Sequence, residues 1–310
     1  MLYSDRPPSR PWRWLGLVAL GLLVGAPAAE GRQELEPGAY SPAPAGMNAF
    51  VVSNSFSTGD LAFDPAVPID EANATINLTT LAYARTLGLF GRAASVGIGA
   101  PIAYGNLSGF YLGEPAEATR FGPGDPRARI AVNLYGARAL TPKEFVSTPM
   151  RRLVGASLTI SMPLGQYSQE RVINIGNHRW GFKPELGMVS QIGRWTLESM
   201  GGVWLFTRNS EFYRGSERTQ QPIGSLQFHL HYAISPRLLV SGNTNFYWGG
   251  RTTVNGRQNF DLQRNSRLGG TLSRALAGGR TLRVAVSRGA YTTIGGAFTN
   301  ISAAFQQVWR

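Results

Sequence analysis

Residues 127–134 read Arg-Ala-Arg-Ile-Ala-Val-Asn-Leu, so that Arg127, Arg129, Ala131 and Asn133 alternate with four apolar side chains. Successive side chains of a β-strand point to opposite faces. One face of this segment is therefore apolar, and the other carries two guanidinium groups and an amide. The chain repeats such alternation about a dozen times, as a closed barrel with lipid outside and water inside requires. A soluble sheet with one buried face would show the same pattern in a single strand.

The composition supports a membrane barrel and excludes several other classes. Charged residues make up 15% of the 310 residues, against roughly 25% in ordinary soluble domains. The chain has no cysteine, which excludes disulfides and thiolate zinc sites. The net charge of +12 is carried almost wholly by arginine, since lysine occurs only at Lys143 and Lys183. Because the arginines are scattered singly, we expect no nucleic-acid partner.

The N-terminus has the pattern of an export signal. Three arginines precede an apolar run at residues 14–25, and Ala26-Pro27-Ala28 provides a small-residue cleavage pattern. The run is too short for a transmembrane helix, which needs ~20 apolar residues. We therefore predict a cleaved signal peptide at residues 1–28, an extended periplasmic leader at 29–46, and an outer-membrane β-barrel at 47–310.

The predicted fold class is all-β: a single antiparallel, up-and-down transmembrane barrel of about 12 strands. In the second strand, Asn77, Thr79, Tyr83 and Arg85 are expected on the polar, inward face. Five tryptophans near strand ends are expected in the interfacial aromatic girdles, namely Trp180, Trp195, Trp204, Trp248 and Trp309. The predicted strands span about 47–57, 75–87, 93–105, 126–135, 153–164, 179–189, 194–206, 223–233, 237–248, 265–275, 281–291 and 298–309.

The connections between these strands alternate between long and short. Outer-membrane barrels have short periplasmic turns and longer extracellular loops. Residues 136–152 are the exception, since they form a long connection where a turn is expected. The Thr141-x-x-Glu144 spacing in this segment predicts a capped short helix on the periplasmic side.

Several segments resemble a known family of bacterial outer-membrane transporter-like barrels, named after the meta-pathway of phenol degradation. They are Leu35-Glu36-Pro37-Gly38-Ala39-Tyr40, Gly124-Asp125-Pro126 with the strand that follows, Pro163-Leu164-Gly165-Gln166-Tyr167, residues 177–187 and Gly249-Gly250-Arg251-Thr252-Thr253. The resemblance spans essentially the whole mature chain. It implies a bacterial outer-membrane barrel that helps small, often aromatic compounds to cross, without fixing the solute.

Inward-facing polar residues are the candidate functional set. Charged rings can set the ion preference of a pore, whereas in a closed lumen the same residues would pair and stiffen the barrel. Twelve strands lie between barrels filled by side chains and those with an open channel, so a narrow or partly plugged path is expected. The predicted lumen residues are Arg85, Arg127, Arg129, Arg179, Lys183, Glu185, Glu198, His229, His231, Arg267 and Arg283.

No catalytic motif, metal site or cofactor is predicted. His229 and His231 share a strand face at a spacing that could hold a metal, but no third ligand is evident, and polar lumen lining is the alternative. We therefore expect a passive channel for small, aromatic or anionic solutes. A structural or adhesive barrel, or an outer-membrane hydrolase, stays open. Lipid and the barrel-assembly machinery are the other expected partners, and the sequence leaves the oligomeric state open.

Overall fold

The computed structural model describes residues 35, 37–62 and 69–310, and within them the chain forms seventeen strands, one short α-helix and one 3-10 turn at Tyr213–Gly215. The predicted signal peptide and its cleavage site lie outside the described residues. In chain order the elements are β1 (Asn48–Ala62), β2 (Ile69–Leu89), β3 (Arg92–Tyr111), β4 (Glu114–Pro123), β5 (Arg127–Tyr135), α1 (Pro142–Ser147), β6 (Arg152–Ser161), β7 (Gly181–Ile192), β8 (Trp195–Phe206), β9 (Asn209–Phe212), β10 (Ser216–Gln220), β11 (Ile223–Ser235), β12 (Leu238–Gly249), β13 (Thr252–Val254), β14 (Arg257–Gln258), β15 (Gln263–Ala275), β16 (Arg280–Tyr291) and β17 (Gly295–Trp309).

Twelve of the described strands form a closed antiparallel ring. The ring runs β1, β2, β3, β5, β6, β7, β8, β11, β12, β15, β16 and β17, and β17 closes it on β1 from Asn48↔Trp309 to Ala62↔Gly295. β4 pairs with β3 outside the ring, while β9, β10, β13 and β14 form a small separate sheet. The prediction of a twelve-stranded antiparallel barrel is therefore confirmed.

Apolar side chains cover the outer face of most barrel strands, as predicted. On β11, Leu226, Phe228 and Leu230 are exposed while the alternate residues are buried. β5, β6 and β16 keep the predicted register too, with their polar positions turned inward. Large apolar side chains that are exposed on one register of a closed barrel mark its lipid-facing surface.

The register predicted for β2 is wrong. Leu78, Ala82 and Ala84 are buried inside the barrel, and Tyr83 and Arg85 are exposed on its outside. The physical reason is that this part of the lumen is filled with apolar contacts: Ala82 and Ala84 pack in one cluster with Ala49 and Val51. Tyr83 meanwhile contacts Trp309 at the outer rim, with ring centroids 6.4 Å apart.

Most of the described short turns lie at one end of the barrel and most of the long loops at the other, and the long 136–151 connection at the turn end is the predicted exception. The turns include Gly91 and Gly193, whose φ angles of 73° and 59° fit the left-handed region that glycine adopts readily. The predicted helix is present as α1, with a complete capping box between Thr141 and Glu144. Hydrogen bonds from Thr141 hold the pKa of Glu144 below its usual value. No helix in the described part of the chain is long and apolar enough to cross a membrane.

Candidate functional site

The N-terminal segment enters the barrel instead of staying in the periplasm. Residues 37–40 are buried, and the backbone N–H groups of Gly38 and Tyr40 donate to the carboxylate of Glu198 on β8, at 2.6 Å and 2.9 Å. Glu198 is buried on the inner register. The periplasmic leader expected at 29–46 is thus a lumen element over residues 37–46, which we call the plug segment.

Tyr40 is the anchor of the plug segment. Its side chain is 3% exposed, and its hydroxyl lies 2.9 Å from Ser157 Oγ and 3.2 Å from Glu185 Oε1. A β-carbon at either Gly155 or Gly187 would overlap the Tyr40 ring. The two glycines on β6 and β7 therefore form a seat that is shaped for this ring.

Arg129 clamps the plug segment from the adjacent wall. Its guanidinium lies 5.1 Å from the centroid of the Tyr40 ring, a cation–π distance. It also donates to the Ala39 carbonyl at 3.1 Å and to Ser157 Oγ at 3.1 Å. The arginine at the centre of the alternating 127–134 segment thus binds the backbone and the anchor ring of the plug segment together.

Both inward acidic residues are engaged in the same arrangement. Glu185 lies 2.7 Å from Lys183 Nζ and 3.7 Å from Arg129 Nη2. Glu198, besides its bonds to the plug segment, lies 3.4 Å from His231 Nε2. Arg129, Lys183 and Glu185 therefore pair with one another along the wall formed by β5, β6 and β7, and not across the lumen as the structural alternative expected.

The base of the plug segment is fixed at the periplasmic rim. Thr86 Oγ1 donates to the Pro44 carbonyl at 2.5 Å and accepts from Met47 N–H at 2.9 Å. Ala45 N–H donates to the carbonyl of Leu140, in the connection that carries α1. The long 136–151 connection therefore supports the point where the plug segment turns into β1.

Small cavities remain on the two sides of the plug segment. One of ≈ 40 Å³ lies between residues 39–43 and the wall formed by β2, β3 and β5. The other, of ≈ 80 Å³, lies between Leu35, Pro37 and the wall formed by β1, β12, β15, β16 and β17. Since one water needs about 10–15 Å³ of such volume, each cavity holds only a few water-sized groups. Beside the described part of the plug segment, these two spaces are consequently small.

Long loops fold over the extracellular end. Asp125, buried just before β5, accepts hydrogen bonds from Gly165 N–H at 3.0 Å and from Asn177 N–H at 2.8 Å. A β-carbon on Gly165 would lie 2.8 Å from the Asp125 backbone nitrogen. Beside them, burial raises the pKa of the Tyr167 hydroxyl, which donates to the Glu211 carbonyl. Asp125, Gly165 and Asn177 all belong to segments that resemble the family. Their hydrogen bonds thus hold the loop at 162–180 against the start of β5.

A row of aromatic rings and cations lies between these loops and the plug segment. Trp204 and Phe206 on β8 stack with ring planes 5° apart, and Trp204 is fully buried. Arg127 and Lys183 lie 5.7 Å and 6.0 Å from the Trp204 centroid, and Arg179 lies 4.5 Å from that of Phe206. Trp204 was expected in an interfacial girdle, but it faces inward because its position on β8 belongs to the buried register.

Ten of the eleven predicted lumen residues lie on the inner side of the barrel, and Arg85 lies outside. Arg129, Lys183, Glu185 and Glu198 meet around the plug segment, whereas Arg267 binds Ser287 Oγ at 3.0 Å in another part of the wall. Arg85 shares the exposed register of Tyr83. The residues Arg127, Arg179, His229, His231 and Arg283 complete the inner set.

The histidine pair is part of the wall. His229 Nδ1 lies 2.9 Å from Asn243 Oδ1, and the His229 and His231 ring centroids are 6.2 Å apart. Among the described residues, no group of three His, Cys, Asp or Glu side chains is arranged to hold a metal ion.

Sequence reasoning missed Tyr40, Ser157, Gly155 and Gly187 as site residues. Tyr40 belongs to the first of the segments that resemble the family. That resemblance was the available sequence signal that the leader has a role beyond connecting the signal peptide to the barrel. The contacts themselves join positions far apart in the chain, such as Gly38 and Glu198, 160 residues apart. The alternation of polar and apolar residues within one strand does not predict contacts between residues that lie so far apart in the chain.

A closed ring with an apolar outer register and a polar inner register defines an outer-membrane β-barrel. Residues 52–300 match the family model described as "Putative MetA-pathway of phenol degradation", and the chain belongs to this family. The family resemblance drawn from the sequence is therefore confirmed. No curated protein matches the chain in sequence.

Three solved structures are similar to this chain, and the first of them shows the same fold. An outer membrane channel from Pseudomonas putida F1 is 19% identical, with a TM-score of 0.75 over 89% of this chain and 100% of that one. The β domain of the Bordetella autotransporter Brka is 11% identical, with a TM-score of 0.48 over 84% of this chain and 98% of that one. The translocator domain of the autotransporter NalP from Neisseria meningitidis is 12% identical, with a TM-score of 0.48 over 86% and 89%.

Proposed function

We propose that this protein is a passive outer-membrane channel for small aromatic compounds, with a preference for anions, and that the plug segment closes it at rest. The observation that carries the proposal is the Tyr40 seat, where two glycines, Arg129 and Glu185 hold the ring of the plug segment against the inner face of β6 and β7. A barrel needing only rigidity could fill this space with its own wall side chains. A separate segment that is held by hydrogen bonds and one ring can leave while the wall stays intact.

The preference for anions follows from the inner charges. Among the predicted lumen residues that face inward, six are basic, against the two carboxylates of Glu185 and Glu198; they are Arg127, Arg129, Arg179, Lys183, Arg267 and Arg283. Low-dielectric walls focus such a field and raise the local concentration of counter-ions. The aromatic preference follows from Trp204 and Phe206, whose rings accompany these cations above the plug segment. An aromatic acid combines both features.

The family to which the chain belongs supports the assignment of aromatic solutes. The solved relative from Pseudomonas putida F1 is named an outer membrane channel, and it has the same fold. We extend its transport role to this chain as part of the proposal. Insertion by the barrel-assembly machinery is proposed as well, because β17 ends in Phe305 and Trp309 on the outer face.

The proposal is tested by flux. Refolded protein should first show heat-modifiable gel mobility, and then conductance in a planar bilayer. Proteoliposomes should take up benzoate faster than they take up benzylamine, which has a similar ring and the opposite charge. Folded protein that passes neither solute and carries no current would favour a structural, adhesive or hydrolytic barrel.

A further inference from the structure

A polar patch lies on the outer face of β1 and β2, within the apolar band of the barrel. Because β2 has the opposite register to the predicted one, Asn77 and Thr79 point to the same side as Leu81, which is 44% exposed. Asn54 on β1 is directly paired with Thr79 and is exposed on the same side. We call Asn54, Asn77 and Thr79 the amide patch. Two residues that were expected on the polar, inward face of β2 therefore face the membrane.

The amide patch lies at the depth of the lipid tails. Side chains that are paired directly across β3, β2, β1 and β17 form rows on the outer face, and the rows on both sides of Asn54 contain large apolar residues. The row toward the periplasm consists of Ala100, Leu81, Val52 and Phe305, and the row toward the outside consists of Tyr104, Asn77, Phe56 and Ile301. Asn54 lies six residues above the Asn48–Trp309 pair at the periplasmic rim, which is roughly 20 Å along the strand and about 15 Å in height at a tilt of about 40°. Since the apolar band of such barrels is about 25 Å tall, Asn54 lies inside it.

The amide patch is a hydrogen-bonded group with further bonding capacity. Asn54 Nδ2 donates to Asn77 Oδ1 and to Thr79 Oγ1, both at 3.0 Å, and Asn77 Nδ2 donates to Asn54 Oδ1 at 3.4 Å. A primary amide carries two N–H donors and an oxygen that accepts twice. The bonds within the patch thus account for only part of what the two amides can form. Lipid tails offer no hydrogen-bonding partner, so polar groups exposed to them are unfavourable.

Other strands show the outer face that contact with lipid alone requires. On β11 the outward residues at this depth are Leu226, Phe228 and Leu230, and β16 presents three aliphatic side chains in the same way. Two amides in the apolar band therefore distinguish the β1–β2 face from these walls. They favour contact with protein at this face.

We propose that the β1–β2 face is the interface of a homodimer, with the amide patch at its centre. A partner in the membrane must present uncharged donors and acceptors at the same depth. A second copy inserted in the same orientation does so by symmetry, because a two-fold axis along the membrane normal places the same residues opposite each other at equal height. Amides both donate and accept, so the patch is complementary to its own copy. Phe56, Leu81 and Ile102 surround it with exposed apolar side chains, which the contact buries. The interface depends neither on the plug segment nor on conductance.

Distances between spin labels in liposomes test the dimer. The chain has no cysteine, so a single label can be placed at Thr58→Cys, on the outer face of β1 beside the amide patch. Double electron–electron resonance should give a short distance between two copies, with a dimer fraction that falls as lipid is added. The matched control is Leu205→Cys on β8, which is exposed on the opposite wall of the ring. Its labels should lie much farther apart, because both barrels separate them in the same dimer.

The double variant Asn54→Leu with Asn77→Leu, made in the Thr58→Cys chain, removes the amides and keeps the face apolar. We expect its dimer dissociation constant to be at least about tenfold larger, as the loss of two or more hydrogen bonds predicts. Ser199→Leu removes a polar side chain from the outer face of β8, beside Phe228, and should leave the dissociation constant unchanged.

Three results would overturn the interface. They are the absence of any distance between copies at every lipid ratio, equal dimer fractions with and without the two amides, and a shorter distance from the Leu205→Cys label than from the Thr58→Cys label. Heat-modifiable mobility of each variant shows that it is folded. A dimer that passes no current would contradict the proposed channel and leave this interface standing.

Discussion

The ring of Tyr40 lies against Gly187, in the space that a β-carbon at position 187 would occupy. The contact joins the plug segment to the inner face of β7. A single methyl group added at position 187 would overlap the Tyr40 ring directly. If the plug segment closes the lumen as proposed, closure depends on the absence of a side chain at this position.

Gly187→Ala should consequently open the channel. Overpacking of this kind costs about 1–3 kcal/mol, which corresponds to a roughly 5- to 150-fold shift toward the unplugged state. Single-channel recordings should show a larger open probability than wild type.

The matched control is Gly242→Ala on β12, where an added β-carbon meets no atom within 4 Å. Its recordings should match those of wild type. Equal behaviour of all three proteins would show that Tyr40 does not occlude the path.

The lipid-facing register is tested by a neighbouring pair on β6. Ile160→Arg places a guanidinium in the lipid, at a cost of ~2–4 kcal/mol, whereas Thr159→Arg places it in the polar lumen. Ile160→Arg should lower the yield of heat-modifiable, membrane-inserted protein well below that of Thr159→Arg. Similar losses for both variants would argue against the assigned faces.

Selectivity should depend on Arg127, which lies over Trp204 in the lumen. Arg127→Gln removes an inner charge without touching the contacts of Arg129 with the plug segment, so reversal potentials under a salt gradient should shift toward cations. Arg85→Gln removes an arginine from the outer face of β2 and is the control. An equal shift in both variants, or none in Arg127→Gln while the pore conducts, would place Arg127 outside the conduction path.

Export processing is predicted at Ala26-Pro27-Ala28. Mass spectrometry of protein extracted from outer membranes should find a mature N-terminus at Ala29 or within a residue or two of it. Recovery of chains that begin at Met1 would show that the signal peptide is retained.

The barrel was predictable because its physics is local. Alternation, as between Arg129 and Ile130, follows from lipid on one side and water on the other, and the capping box of Thr141 and Glu144 lies within four residues. Both are visible in a short window of sequence. The strand order then follows, since short turns can join only antiparallel neighbours.

The plug segment and the β2 register were not predictable by the same means. The plug segment is rich in proline and glycine and has no period, and its partners Ser157 and Glu198 lie more than a hundred residues away. Its base rests on Thr86, beside an inner face that is lined by Ala82 and Ala84. There the usual rule of apolar outside and polar inside is reversed.

The most direct measurement compares the single-channel conductance of wild type with that of a variant lacking residues 35–43. The deletion keeps Pro44 and Met47, so β1 stays fastened to Thr86. If the plug segment closes the channel, wild type gives rare, small current steps and the deletion variant gives steady, larger ones in the same salt. Equal conductance of the two proteins, both folded by heat-modifiable mobility, would contradict the claim that the N-terminal segment closes the lumen.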